Sequence, residues 1–281
     1  MRKQYWFWMS FFLASVVSCV PSESEQSSKA VDHSASSAYP IPPPSGIEVN
    51  LLSLSPEIKL DTVKVEITYD HSFSQAKTYL AIPFLPLLRQ LVDKFGIEST
   101  HTEVLLVCKD GYIPSLELSQ ILRQGGGYLA FRDEDAPTGF DWAETVRTDY
   151  SPYYLVWENL PYEDHSMAWP FGLTALTFVP MDSSLNKIRP TNARQEVVQG
   201  FELYKENCLK CHSINRIGGI MGPEFNEPKN ITTYWSREDI MAFVQEPTAY
   251  RYNSKMPAIT HLSQEDLSYI IDYLSYLAQS P

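Results

Sequence analysis

The chain has 281 residues, with 34 acidic against 22 basic side chains and a net charge of −12. That balance argues against nucleic acid as a partner, because phosphate contacts require clustered lysine and arginine. Of four cysteines, Cys19, Cys208 and Cys211 each fall in a motif of their own and Cys108 is left over, so no disulfide framework is available and apolar cores must hold each folded part.

Met1-Arg2-Lys3 gives a positive start, and an apolar run follows from Tyr5 to Val17. The run is shorter than the roughly 20 residues of a membrane span and has the length of a signal-peptide core. It ends in Val16-Val17-Ser18-Cys19, which resembles a bacterial lipobox. The resemblance implies a lipoprotein signal peptide over 1–18 and acylation of Cys19. The protein would then be exported and lipid-anchored on the periplasmic side of a membrane. Val20 after the cysteine resembles the pattern sent on to the outer membrane. Residues 19–50 are rich in Ser and Pro and poor in apolar side chains, the composition of a flexible tether.

A first folded domain is expected over 51–180. Val63, Val65 and Ile67 alternate with polar residues, the period of a half-buried strand. Pro83 to Phe95 reads as a helix with Leu87, Leu88, Leu91, Val92 and Phe95 on one face and Gly96 at its end. Glu103 to Cys108 reads as a strand, followed by the turn Lys109-Asp110-Gly111-Tyr112. A short helix over Leu116–Arg123 stops at Gly125-Gly126-Gly127, before a strand over Tyr128–Phe131. Further strands are expected at Tyr153–Trp157 and Leu173–Val179. Trp142, Tyr150, Tyr153, Tyr154, Trp157, Tyr162, Trp169 and Phe171 could line a ligand groove or partner surface, although core packing accounts for most of them more simply. Asp164 and His165 read either as a metal pair or as a polar loop tip.

A second domain is expected over 190–281. Thr191 or Asn192 can cap a helix carrying Val197, Phe201 and Tyr204. Ser236 and Ser263, each followed three residues later by an aspartate, mark two more helix starts. After the first helix stands Cys208-Leu209-Lys210-Cys211-His212. The C-x-x-C-H pattern is the attachment site of c-type haem. Two thiols can bond the porphyrin edge, and the adjacent imidazole can reach the iron. A zinc site would need a second ligand pair at similar spacing, and none lies nearby.

Gly200, Phe201 and Tyr204, the haem motif, Gly222-Pro223, Lys255-Met256-Pro257 and the last amphipathic segment together resemble class I cytochrome c. The resemblance implies one covalent haem c on Cys208 and Cys211, with His212 and Met256 as iron ligands. It also implies that the carbonyl of Pro223 accepts a hydrogen bond from His212, as a positioning contact. Met221 and His261 are the rivals to Met256.

The stretches Val107–Tyr112, Gly127–Arg132 and Pro152–Trp157 resemble the molybdopterin-binding domain of the sulfite-oxidase family. That resemblance makes Cys108 the candidate molybdenum ligand, with a buried strand residue as the other reading. Ser151-Pro152 replaces the usual glycine-proline pair, and no basic cluster is present for the cofactor phosphate. A relative without molybdopterin is therefore the expectation.

The expected fold class is multidomain: an α+β, β-rich, sulfite-oxidase-like domain followed by an all-α class I cytochrome c domain. The expected function is a lipid-anchored monohaem c-type cytochrome carrying single electrons between exported or membrane redox partners. A molybdenum-cofactor oxidoreductase passing electrons internally to the haem is the alternative. Residues 190–281 hold 8 basic and 11 acidic side chains, so most of the negative charge lies earlier. That distribution suits electrostatically steered encounters with a basic partner.

Overall fold

Strand alternation, helix stop signals and capping serines lay out the architecture of the computed structural model. It describes residues 46–136, 142, 150–161, 164, 166–181 and 185–279. The elements before the haem motif are β1 Ile47–Asn50, β2 Val63–Asp70, β3 Gln75–Pro83, α1 Phe84–Phe95, β4 Thr102–Cys108 and β5 Ser115–Glu117. They continue with α2 Leu118–Gln124, β6 Gly127–Asp133, β7 Tyr154–Trp157, β8 Leu173–Pro180 and α3 Gln195–Asn207. After the motif come β9 Ser213–Ile214, β10 Ile217–Gly218, α4 Arg237–Gln245, α5 Pro247–Tyr250 and α6 Gln264–Gln279.

Two four-stranded antiparallel sheets dominate, ordered β1-β8-β4-β5 and β2-β3-β6-β7. Every second residue of β4 is buried, so Thr102, Val104, Leu106 and Cys108 all point to one face. That face meets Phe84, Leu87, Leu88 and Leu91 of α1 in a core shared by both sheets. Each such apolar side chain stabilises the fold by about 1.5–3 kcal/mol relative to exposure. The helix ends where Gly96 adopts φ 62° and its N–H returns to the Val92 carbonyl, a left-handed cap that glycine takes without strain. On the other face of the second sheet, Val65, Ile67, Tyr79, Ala130, Tyr154 and Val156 form a separate core. Tyr150, Tyr154 and Trp157 are buried, so these aromatic residues are core. Asp164 accepts the Ser166 N–H as a loop turn, and Tyr162 and His165 lie outside the described residues.

In the C-terminal part, α3 crosses α6 at Gly200. A Cβ there would run into the carbonyl of Tyr269, so only glycine allows the two backbones to approach so closely. Phe201 and Tyr204 pack on Tyr273 at the crossing, with centroids 5.5 and 5.6 Å apart. The start of α3 differs from expectation. Its N-cap is Arg194, with no side-chain cap, so neither Thr191 nor Asn192 caps it. Ser236 does cap α4, accepting the Asp239 N–H. Ser263 caps α6 reciprocally: its Oγ accepts the Asp266 N–H while Asp266 accepts the Ser263 N–H.

The expected fold class is overturned. The described chain is β-rich, with two four-stranded sheets and comparatively few helices. The C-terminal part is not all-α, because β9 and β10 pair in register Ile214 with Ile217. The physical reason is the turn between them. Asn215 and Arg216 both hold positive φ, 51° and 66°, the backbone of a tight two-residue hairpin. Among the described residues no helix is long and apolar enough to cross a membrane. Cys19 and the whole expected signal segment lie outside the described residues.

Candidate haem site

The last turn of α3 delivers the motif. Cys208 N–H and Leu209 N–H both donate to the Tyr204 carbonyl, and His212 N–H donates to the Cys208 carbonyl at 2.9 Å. This turn carries Cys208, Cys211 and His212 as one compact group. The Tyr204 hydroxyl, buried at the helix crossing, donates to the His212 carbonyl at 3.0 Å. The backbone at the histidine is thereby fixed to the core.

The imidazole is 7% exposed and held on three sides. Its Nδ1 lies 2.9 Å from the Pro223 carbonyl, an acceptor only, so Nδ1 carries the proton. Phe225 stacks on it at 4.3 Å between centroids. Gly222 lies against the ring, and a Cβ at that position would overlap the Cε1 and Nδ1 atoms. Burial lowers the His212 pKa, against the opposing bond to Pro223. The ring is therefore a neutral base whose Nε2 is the nitrogen that can coordinate a metal.

Burial and the neighbouring Cys211 push the Cys208 thiol up to about 12. Burial also raises Cys211. A reactive dithiol needs a depressed thiol pKa, so this pair is poorly suited to disulfide exchange. Among the described residues no group of three or more His, Cys, Asp or Glu side chains is placed to hold a metal ion. Cys208, Leu209, Ile217, Phe225 and Ile259 pack against the C-terminal core, and of these Phe225 stacks on the imidazole. A buried, neutral, oriented histidine beside two apolar-set thiols fits a covalently attached porphyrin.

Met256 stands in the loop between α5 and α6, half-buried, its N–H directed to Ser254 Oγ at 3.3 Å. The Ile259 N–H bonds the Val244 carbonyl, tying that loop to α4. His261 is exposed, and its Nε2 lies 2.8 Å from Asn207 Oδ1, so its ring is committed to the end of α3. Met221 is half-buried in the segment that precedes Gly222. Cys108 is 3% exposed at the end of β4, with its thiol raised by burial first and by Asp110 second. That setting keeps it protonated, which suits a core residue better than a metal thiolate.

The turn Lys109–Tyr112 also meets the motif, a contact that composition and spacing gave no means to foresee. Ile113 N–H donates to the Lys210 carbonyl at 2.9 Å, and Ile220 N–H donates to the Gly111 carbonyl at 2.8 Å.

Residues 195–274 match the family model described as cytochrome C oxidase, cbb3-type, subunit III. Over 120 residues the chain is 28% identical to cytochrome c oxidase subunit 2 of Alkalihalophilus pseudofirmus, covering 41% of this chain and 32% of that protein. The alignment thus spans about a third of that relative's length. No solved structure matches. The match over residues 195–274 supports a cytochrome c domain in the C-terminal segment. Neither match is to a sulfite-oxidase-like family or concerns lipid attachment.

Proposed function

We propose that the protein is a lipid-tethered monohaem c-type cytochrome that carries single electrons between exported or membrane redox partners. The observation that carries this reading is the state of His212: buried, protonated on Nδ1 by its bond to Pro223, and clamped between Gly222 and Phe225. Cys208 and Cys211 would hold one haem through thioether bonds, which prevents its loss in an exported compartment. Haem c supplies a one-electron couple when bound. The chain's own residues do the rest. His212 would hold the iron through Nε2 and Met256 through its thioether.

With His212 and Met256 both holding the iron, no position would be left there for substrate. The reading is therefore outer-sphere transfer rather than catalysis. A His/Met pair also raises the potential relative to His/His, which suits delivery to an oxidising partner. The similarity to oxidase subunits supports membrane oxidoreductases as partner class. Cys19 supplies the anchor, and the Ser- and Pro-rich stretch after it supplies reach.

The test is purification of the full mature chain from an exporting host. One haem per chain that survives acid-acetone extraction, and a one-electron titration, are expected. Pigment stripped by acid-acetone would sink the covalent assignment. Molybdenum in the metal analysis would instead favour an oxidoreductase that feeds its own haem. Mass spectrometry of the membrane fraction should find Cys19 diacylated, and Cys19→Ala should release the protein into the soluble fraction.

A further inference from the structure

The β-rich part has no role in the reading above, yet its β4–β5 turn touches the haem segment. The turn is closed by its own hydrogen bonds. Gly111 N–H donates to the Cys108 carbonyl and Cys108 N–H to the Tyr112 carbonyl, both at 3.0 Å. Asp110 Oδ1 accepts the Tyr112 N–H at 3.1 Å, and Lys109 N–H donates to the Gly172 carbonyl at 2.8 Å. Behind it stands β4, with Val104, Leu106 and Cys108 buried.

From this base two sets of backbone bonds reach the haem segment. Ile113 N–H holds the carbonyl of Lys210, which lies between the two haem cysteines. The Gly111 carbonyl receives Ile220 N–H at 2.8 Å and Met221 N–H at 3.3 Å. The next two residues after Met221 are Gly222 and Pro223, which fix the His212 ring by contact and by hydrogen bond. Gly111 itself has φ +87°, and a Cβ there would sit 2.6 Å from Ile220 Cγ1 and 2.8 Å from Met221 N. Both the backbone conformation and the close approach require glycine.

Resting on the cytochrome reading, we propose that Gly111 is a positioning residue for the proximal histidine, through which the β-rich part sets the potential of the iron. The connection runs from Gly111 through the 220–223 segment to the Nδ1–H bond of His212. That bond makes the imidazole a stronger base and so favours Fe(III). Displacing the segment weakens the bond, and the potential rises.

The experiment compares the full-length, haem-loaded protein with Gly111→Ala by spectroelectrochemical titration. Gly96→Ala is the control: it also sits at positive φ, but nothing lies within 4 Å of its Cβ position. The expected result is a tenfold change in the one-electron equilibrium constant for Gly111→Ala, about 59 mV upward, with Gly96→Ala unmoved. A potential that is unchanged or lowered in Gly111→Ala overturns the proposal, as does an equal rise in Gly96→Ala. If Gly111→Ala does not fold, amide exchange in the wild-type protein decides. Protected Ile113 and Ile220 amides support the clamp, and exchange at the rate of an unfolded chain overturns it. Wild-type protein without covalent haem would refute the cytochrome reading instead, and the amide measurement would still report on the clamp.

Discussion

Gly222 lies so close to the imidazole of His212 that any β-carbon would occupy the space of the ring. The glycine and the following Pro223 carbonyl act together, one allowing the ring its place and the other fixing its proton.

Gly222→Ala should therefore overpack the site, at a cost of about 1–3 kcal/mol. The expected outcome is lower haem loading and an altered potential in whatever loaded protein is recovered. Wild-type loading with an unshifted titration curve would mean that the segment yields freely and does not fix the ring.

Met256→Ala should open the iron. The reduced protein is expected to change its visible spectrum under carbon monoxide, and the potential should fall as the thioether is lost. Met221→Ala should do neither. The opposite pattern would transfer the ligand role to Met221.

Lys77 and Asp133 form a buried ion pair at 2.6 Å, with side chains 4% and 0% exposed. Removing one partner strands the other charge, so Lys77→Met should destabilise by about 3–5 kcal/mol. Urea denaturation monitored by far-UV circular dichroism measures this. A loss below about 1 kcal/mol, the ceiling for an exposed pair, would show that water reaches Asp133.

Asp70 is buried against the hydroxyls of Tyr79 and Tyr154, and burial raises its pKa above the ordinary 3.8. A raised carboxyl favours the folded state most at low pH. Its contribution is complete below about 3.8 and is lost as pH climbs through the elevated folded value. Asp70→Asn keeps an oxygen acceptor and cannot ionise. The stability of wild type minus that of Asp70→Asn should fall as pH rises from about 4 towards neutral. A difference that is flat, or that grows with pH, contradicts the assignment.

The haem motif was legible because its chemistry is written in side chains at fixed spacing. Val63, Val65 and Ile67 revealed β2 by alternation, and Ser236 and Ser263 revealed two helices through their capping oxygens. Other features leave no such mark. The β9–β10 hairpin turns on Asn215 and Arg216, and arginine at positive φ is not a turn signal. Strand β1 is only Ile47–Asn50 and finds its partner β8 more than a hundred residues later, so it reads as the end of a tether. The approach of Gly111 to Ile220 is made by backbone atoms, which no side-chain pattern announces. Cys108 resembled a metal ligand because its neighbours in sequence suggested a family. Its burial follows from its even place in the β4 alternation, a reading that was available from the residues alone.

The crossing at Gly200 joins the helix that introduces the haem cysteines to the last sixteen-residue helix of the chain. Until α6 packs against α3, Phe201 and Tyr204 lack Tyr273, so the stretch that carries Cys208 and Cys211 reaches its final packing only when that crossing forms.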